Sequence, residues 1–198
     1  MKKGFFIFFS LITYSVFSQK LYSDSAYKNV TPHVNLSDAI LDTGNVLKLI
    51  LKKKKLTSFP REILKMNELE YLDLSKNKID SIPTEIRNLK NLRVLILSKN
   101  KITKIPPELY ELKNLKVLNL SSNNISALPQ GIKGLSKLEE LNLWNTGVDN
   151  LPSDIDEVKT LKVIDMRGIL LNFEMQEELL DLLPNVKLYL SAPCNCTF

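Results

Sequence analysis

The sequence predicts an α/β solenoid, with a short curved parallel sheet on its concave face and short helical segments on its convex face. Three observations carry this expectation. Prolines recur every 23 residues, at Pro60, Pro83, Pro106, Pro129 and Pro152. An apolar residue precedes each (Phe59, Ile82, Ile105, Leu128, Leu151), and another stands three after it (Ile63, Ile86, Leu109, Ile132, Ile155). Upstream columns keep the same register: Val46, Leu69, Leu92, Leu115, Leu138 and Leu161 open the units, and Leu49, Leu72, Leu95, Leu118, Leu141 and Ile164 follow three later. Such a unit cannot bury its apolar face alone, so it stacks on its neighbours into one continuous core.

Taken in order, the chain opens with Lys2 and Lys3, then an apolar run from Gly4 to Phe17 that ends at Ser18. A positive head, a short apolar stretch and a small residue at the end are the layout of a secretory signal peptide over 1–18, with cleavage expected before Gln19. The run is shorter than the roughly eighteen residues that argue for a bilayer span. The expected destination is therefore the periplasm, the cell envelope or the medium. Loss of the two lysines would take the formal net charge from +5 to +3. Residues 19–34 show no period and are expected to be a flexible lead. Over 35–45, Asn35 before Leu36-Ser37-Asp38-Ala39-Ile40-Leu41 reads as a capped helix closing the solenoid's open end.

The repeats occupy 46–160, five units of 23 residues. Alternation at the fourth and sixth positions of each unit is the period-2 pattern of a short strand with one buried face. Proline suits the first turn of a helical segment, where its missing N–H is not needed. Glu62, Glu85 and Glu108 lie in that turn, where the helix dipole favours an anion. Asn77, Asn100 and Asn123 hold the ninth position, where an amide can satisfy buried backbone groups in a turn. Lys54, Thr146 and Ile169 depart from that column.

On these residues the chain resembles the leucine-rich repeat family. The stretch Leu69-Glu-Tyr-Leu72-Asp-Leu74-Ser-Lys-Asn77-Lys-Ile79 fits the signature L-x-x-L-x-L-x-x-N-x-L. The continuation I-P-x-x-I-x-x-L from Ile82 to Leu89 is similar to the Ras-group subclass and to short bacterial repeat proteins. The resemblance implies a leucine-rich repeat solenoid and a protein-binding role for its concave face.

Beyond the fifth unit, 161–190 reads as a degenerate sixth repeat and a C-terminal cap. Asn172 precedes an apolar stripe of Phe173, Leu179, Leu180 and Leu183, Pro184 stops it, and Val186 to Leu190 reads as a last strand. Residues 191–198 form a tail with Cys194 and Cys196, expected as a tether bridged within itself or to a partner.

Positions 3, 5 and 7 of each strand point away from the core. Among them Tyr71, Val94, Ile96, Val117, Asn119, Asn142, Trp144 and Arg167 are the candidate partner contacts. Apolar residues on a face with no core to join suggest an interaction patch, and Trp with Arg dominates interface hot spots. A second feature is a lysine ridge at the strand-end turns. Lys52 to Lys55 are contiguous, and Lys76, Lys78, Lys99 and Lys101 continue them one repeat at a time. Lys53, Lys55, Lys76, Lys78, Lys99 and Lys101 are candidate contacts for an anionic glycan or envelope component.

Other classes find little support. One His and two Cys do not make a zinc cage of ordinary spacing. His33 is expected as a surface residue. Asp73 and Asp165 share a column but lie four strands apart, roughly 19 Å, too far for a glycosidase pair. Glu140 and Asp165 are nearer, without a His, reactive thiol or pocket to join them. No aromatic residues interleave the lysines, so nucleic acid is not an expected partner. The sequence thus predicts no catalytic, cofactor or metal site, and no membrane helix in the mature chain.

Overall fold

The computed structural model describes residues 27–194. The expected signal peptide, the first part of the lead (19–26) and residues 195–198, including Cys196, lie outside them.

Seven strands form one parallel sheet in chain order: β1 (Lys48–Ile50), β2 (Tyr71–Asp73), β3 (Val94–Ile96), β4 (Val117–Asn119), β5 (Glu140–Asn142), β6 (Val163–Asp165) and β7 (Lys187–Tyr189). Residues paired across neighbouring strands are 23 apart from β1 to β6, as in Lys48 with Tyr71 and Leu141 with Ile164. The last step is 24, Val163 with Lys187. The strands are short because each unit must turn away again to reach the next. The middle residue of each, from Leu49 to Ile164, is almost wholly buried. Burying one such side chain contributes about 2 kcal/mol, and the columns repeat it in every unit.

The return limb differs from expectation in detail. The helical segments are 3-10 turns, at Arg61–Lys65, Thr84–Asn88, Pro107–Glu111, Ile132–Gly134 and Ile155–Glu157. Pro60, Pro83 and Pro106 sit at the caps of their turns rather than inside them. Each proline carbonyl accepts the first bond of its turn, as Ile86 N–H donates to Pro83 O at 3.0 Å. In the fourth unit Gly131 takes the cap with φ 100°, a left-handed value that glycine adopts without a Cβ penalty.

The asparagine column is a ladder. Asn100 Nδ2 donates to Leu74 O at 3.1 Å and Leu97 O at 2.8 Å, and its Oδ1 accepts from Ile79 N–H at 3.0 Å. Asn77 and Asn123 repeat this pattern one unit to either side. Thr146 keeps one of these bonds, to Leu143 O at 2.7 Å.

Both ends are closed. Helix α1 (Leu36–Leu41) starts at Asn35, whose side chain accepts from Ser37 N–H. Helix α2 (Phe173–Leu182) starts at Asn172, which accepts from Met175 N–H. Residues 27–34 are not the free lead expected of them. His33 pairs in parallel with Leu49, through His33 N–H to Lys48 O at 2.9 Å and Ile50 N–H to His33 O at 2.8 Å. This caps the open edge of β1, which would otherwise offer unpaired backbone groups. Tail residue Cys194 is disulfide-bonded, and its N–H donates to Leu171 O at 3.0 Å. No helix of the described residues is long and apolar enough to cross a membrane.

Candidate protein-binding face

The exposed side of the sheet divides into two halves. Over the first strands it is covered. Tyr71, Val94 and Val117 are buried together with Tyr27, and Val30, Ile50 and Ile96 pack against them half-buried. The rings of Tyr27 and Tyr71 lie 5.5 Å apart, tilted by 58°. Tyr27 Oη donates to Glu70 Oε2 at 3.0 Å, and Lys48 Nζ donates to Tyr27 O at 3.1 Å while standing 4.9 Å above the Tyr71 ring. The expected exposed patch at Tyr71, Val94 and Val117 is therefore a small second core. Its physical reason is the segment from Tyr27 to Val34, which folds back along β1. The pair Tyr27 and Val30, three apart in a lead otherwise rich in polar residues, was the signal for it.

A groove of about 400 Å³ runs along the sheet beside this cluster. Ile96, Asn119, Asn142 and Trp144 line it with Glu140 and Val163, and Tyr71 and Val117 contribute to its lining at one end. Ile96, Asn119, Asn142 and Trp144 are half-buried, so part of each remains available to a partner. Val94 is fully covered and does not line the groove.

The position-5 polar residues also do local work. Asn119 Oδ1 accepts from Ser121 N–H at 3.0 Å and from Ser121 Oγ at 2.7 Å, and Asn142 Oδ1 accepts from Trp144 N–H at 3.0 Å. Asp73 and Asp165 make the same short turn onto Ser75 N–H and Arg167 N–H. The column thus ends each strand, which is why Asn and Asp recur there. It also steadies the backbone under Trp144.

Arg167 is not a groove residue. Its guanidinium grips Asp165 twice, Nε to Oδ1 at 2.9 Å and Nη2 to Oδ2 at 2.6 Å, and lies 5.3 Å over the Tyr189 ring. Asp165 is buried, and removing one partner of a buried charge pair is destabilising. Glu140 also lines the groove. Burial, with Glu139 beside it, pushes Glu140 up to about 7, while Lys162 pulls the other way. Among the described residues no group of three or more His, Cys, Asp or Glu is placed to hold a metal ion.

The lysine ridge also divides. Lys52, Lys76 and Lys99 line one wall of the groove, whereas Lys53, Lys55, Lys78 and Lys101 stand outside it, all exposed. Lys53, Lys55, Lys76 and Lys99 have left-handed backbones, which the sequence did not announce because lysine is not a residue that favours them.

Comparison with known proteins agrees with this architecture. The model of the leucine-rich repeat region matches residues 41–188. Among solved structures, a leucine-rich repeat protein of Leptospira interrogans is 35% identical with a TM-score of 0.65, over 73% of this chain and 36% of that one. This chain therefore corresponds to about a third of that protein's length. A search of curated proteins gives no match. Repeat columns, a seven-stranded parallel sheet and a family match over most of the chain agree, and the chain belongs to the leucine-rich repeat family.

Proposed function

We propose that this protein is a secreted, non-enzymatic interaction module that binds another protein in the groove of its concave face. Leucine-rich repeat domains generally mediate protein–protein interaction, and the carrying observation here is the groove itself. It offers one large aromatic, Trp144, and the aliphatic Ile96, with the amides of Asn119 and Asn142 to satisfy a partner's polar groups. That combination of an apolar anchor with hydrogen-bonding neighbours matches the centre of ordinary protein interfaces. The positive head and short apolar run at the N-terminal end of the sequence support the secreted reading. The leucine-rich repeat family is typically an interaction fold without enzymatic activity, which supports the non-enzymatic reading.

The test is a crosslinking pull-down from cell envelope and medium with the wild-type protein and a Trp144→Ala/Ile96→Ser variant. Both side chains are half-buried, so the variant is expected to stay folded, with a modest loss of stability of about 1 to 2 kcal/mol. A partner held by the wild type at moderate salt and lost with the variant is the expected result. Capture that ignores the variant would move the interface off this groove. Arg167→Ala is unsuitable as a probe, because it would strand Asp165 and unfold the last repeats before it reported on binding.

A further inference from the structure

The lysine turns carry a feature that a protein-binding groove does not require. At the eighth position of each repeat the backbone is left-handed: Lys53 (φ 59°), Lys76 (58°), Lys99 (57°), Ser122 (53°), Asn145 (55°) and Gly168 (78°). The conformation is locked from unit to unit. Lys53 N–H donates to Ser75 O at 3.1 Å, Lys76 N–H to Ser98 O at 2.9 Å and Lys99 N–H to Ser121 O at 2.8 Å. Gly and Asn tolerate this backbone best, and later repeats use them. Lysine stands there three repeats running, against local preference.

Charge adds to the strain. The Lys76 ammonium is held below the ordinary lysine range, first by Lys53, then by Lys99 and Lys52, with a smaller effect of burial; Asp73 opposes them. Asp73 is the carboxylate facing the cluster, and one of its oxygens is engaged by Ser75 N–H at 2.8 Å. Lys52, Lys76 and Lys99 share one wall of the groove. Adjacent turns are one strand spacing apart, so Lys53 to Lys99 spans about 10 Å. Four like charges held on fixed turns within that span repel one another, and an anion relieves the repulsion.

We infer that Lys52, Lys53, Lys76 and Lys99 form a binding site for a compact anion carrying clustered phosphates, seated at the rim of the groove. The density of charge selects the ligand class. An extended acidic peptide places carboxylates on one side only every ~7 Å, one charge each. Phosphates carry about −1.5 to −2 charges apiece and three acceptor oxygens, enough to match four ammoniums in so short a span. Lysine binds phosphate as a point charge and needs no forked geometry. A soluble polyphosphate and a phosphorylated lipid headgroup share this chemistry. The site does not rest on the protein-binding reading above.

Titration calorimetry with sodium tripolyphosphate tests the soluble source. Flotation with phosphatidylcholine vesicles, with and without phosphatidic acid, tests the lipid source. A Lys53→Gln/Lys76→Gln/Lys99→Gln variant should weaken binding at least about tenfold. It keeps the same turn strain, so the fold should be unaffected. Replacing Lys65, Lys104 and Lys113 by Gln removes the same charge from other turns and should change binding less than about twofold. Trp144→Ala should leave both readouts intact, which separates this site from the protein-binding groove. Tripolyphosphate binding that needs the three lysines assigns a soluble ligand, and flotation that needs both phosphatidic acid and the lysines assigns a headgroup. Equal loss in the two lysine variants, loss with Trp144→Ala, or binding to neither probe by the wild type would overturn the site.

Discussion

At the scale of single residues, Glu140 gives the face a pH response. It pairs with Val117 on one side and Val163 on the other in the strand register, so its carboxyl lies among side chains that cannot solvate a charge. Burial is the larger cause of its rise to about 7, and Glu139 adds to it. In the unfolded chain the same group titrates near its ordinary value of 4.5. Between those values the folded state holds a proton that the unfolded state has released, so stability falls as pH rises from about 4.5 to about 7 and then levels. Glu139 acts in the opposite sense at lower pH. Hydrogen bonds from Lys162 and Lys116 hold it below the usual carboxylate range, so its contribution is lost as pH falls through its folded value. Urea midpoints measured across this window should flatten in Glu140→Gln. An unchanged slope in that variant would assign the titration to another group. Because Glu140 is only half buried, solvent screening keeps the effect well short of what a fully enclosed carboxyl would give.

At the scale of one repeat, the asparagine ladder decides whether a turn can be buried at all. Asn100 serves Leu74 O, Leu97 O and Ile79 N–H at once, and these groups belong to its own unit and the one before it. Asn100→Ala removes all three bonds and leaves Ile79 N–H without a partner in a buried turn, while Leu74 O keeps Asn77 and Leu97 O keeps Asn123, a loss of about 2 to 3 kcal/mol. Thr146→Ala removes a single bond, and about 1 kcal/mol is expected. Chemical denaturation of the two variants should show that order; equal losses would mean that Asn100 is not the bridge between units. This ladder was legible in the sequence because one residue type recurs at a fixed step and one chemistry explains it. The same holds for the buried leucine columns and both helix caps. Legibility ended where a residue's environment comes from a segment outside the repeat. Tyr71, Val94 and Val117 read as exposed because their positions point off the core, and Tyr27 and Val30 then cover them. Arg167 read as a hot spot because nothing local showed that its fork would close on Asp165. The left-handed lysines were hidden for a different reason: backbone sign is set by the hydrogen-bonded turn, and lysine gives no hint of it.

At the scale of the whole molecule, the chain is a stack in which each unit touches its neighbours and the ends differ from the middle. Stability is then close to a sum over units and the interfaces between them, with caps shielding the ends. Removal of residues 92–114 tests this. The cut joins Asn91 to Leu115, so a unit opened by Leu69 is followed by one opened by Leu115, and every buried column stays in register. Asn123 would then donate to Leu74 O in place of Leu97 O, because the two carbonyls hold equivalent places one repeat apart. The shortened protein should fold, with a lower melting temperature and one strand fewer. Removal of 170–198 has the opposite consequence, although it takes only slightly more of the chain. Helix α2 buries Leu179 against the core, and β7 pairs with β6. Without them Ile164, Met166 and Ile169 would face water, and Asp165 would keep Arg167 but lose the cover of Tyr189. The cooperative thermal transition should therefore survive the internal deletion and broaden or vanish in the terminal one, as followed by circular dichroism. If the internal deletion abolished folding while the terminal one did not, the molecule would be a single indivisible core rather than a stack of separable units.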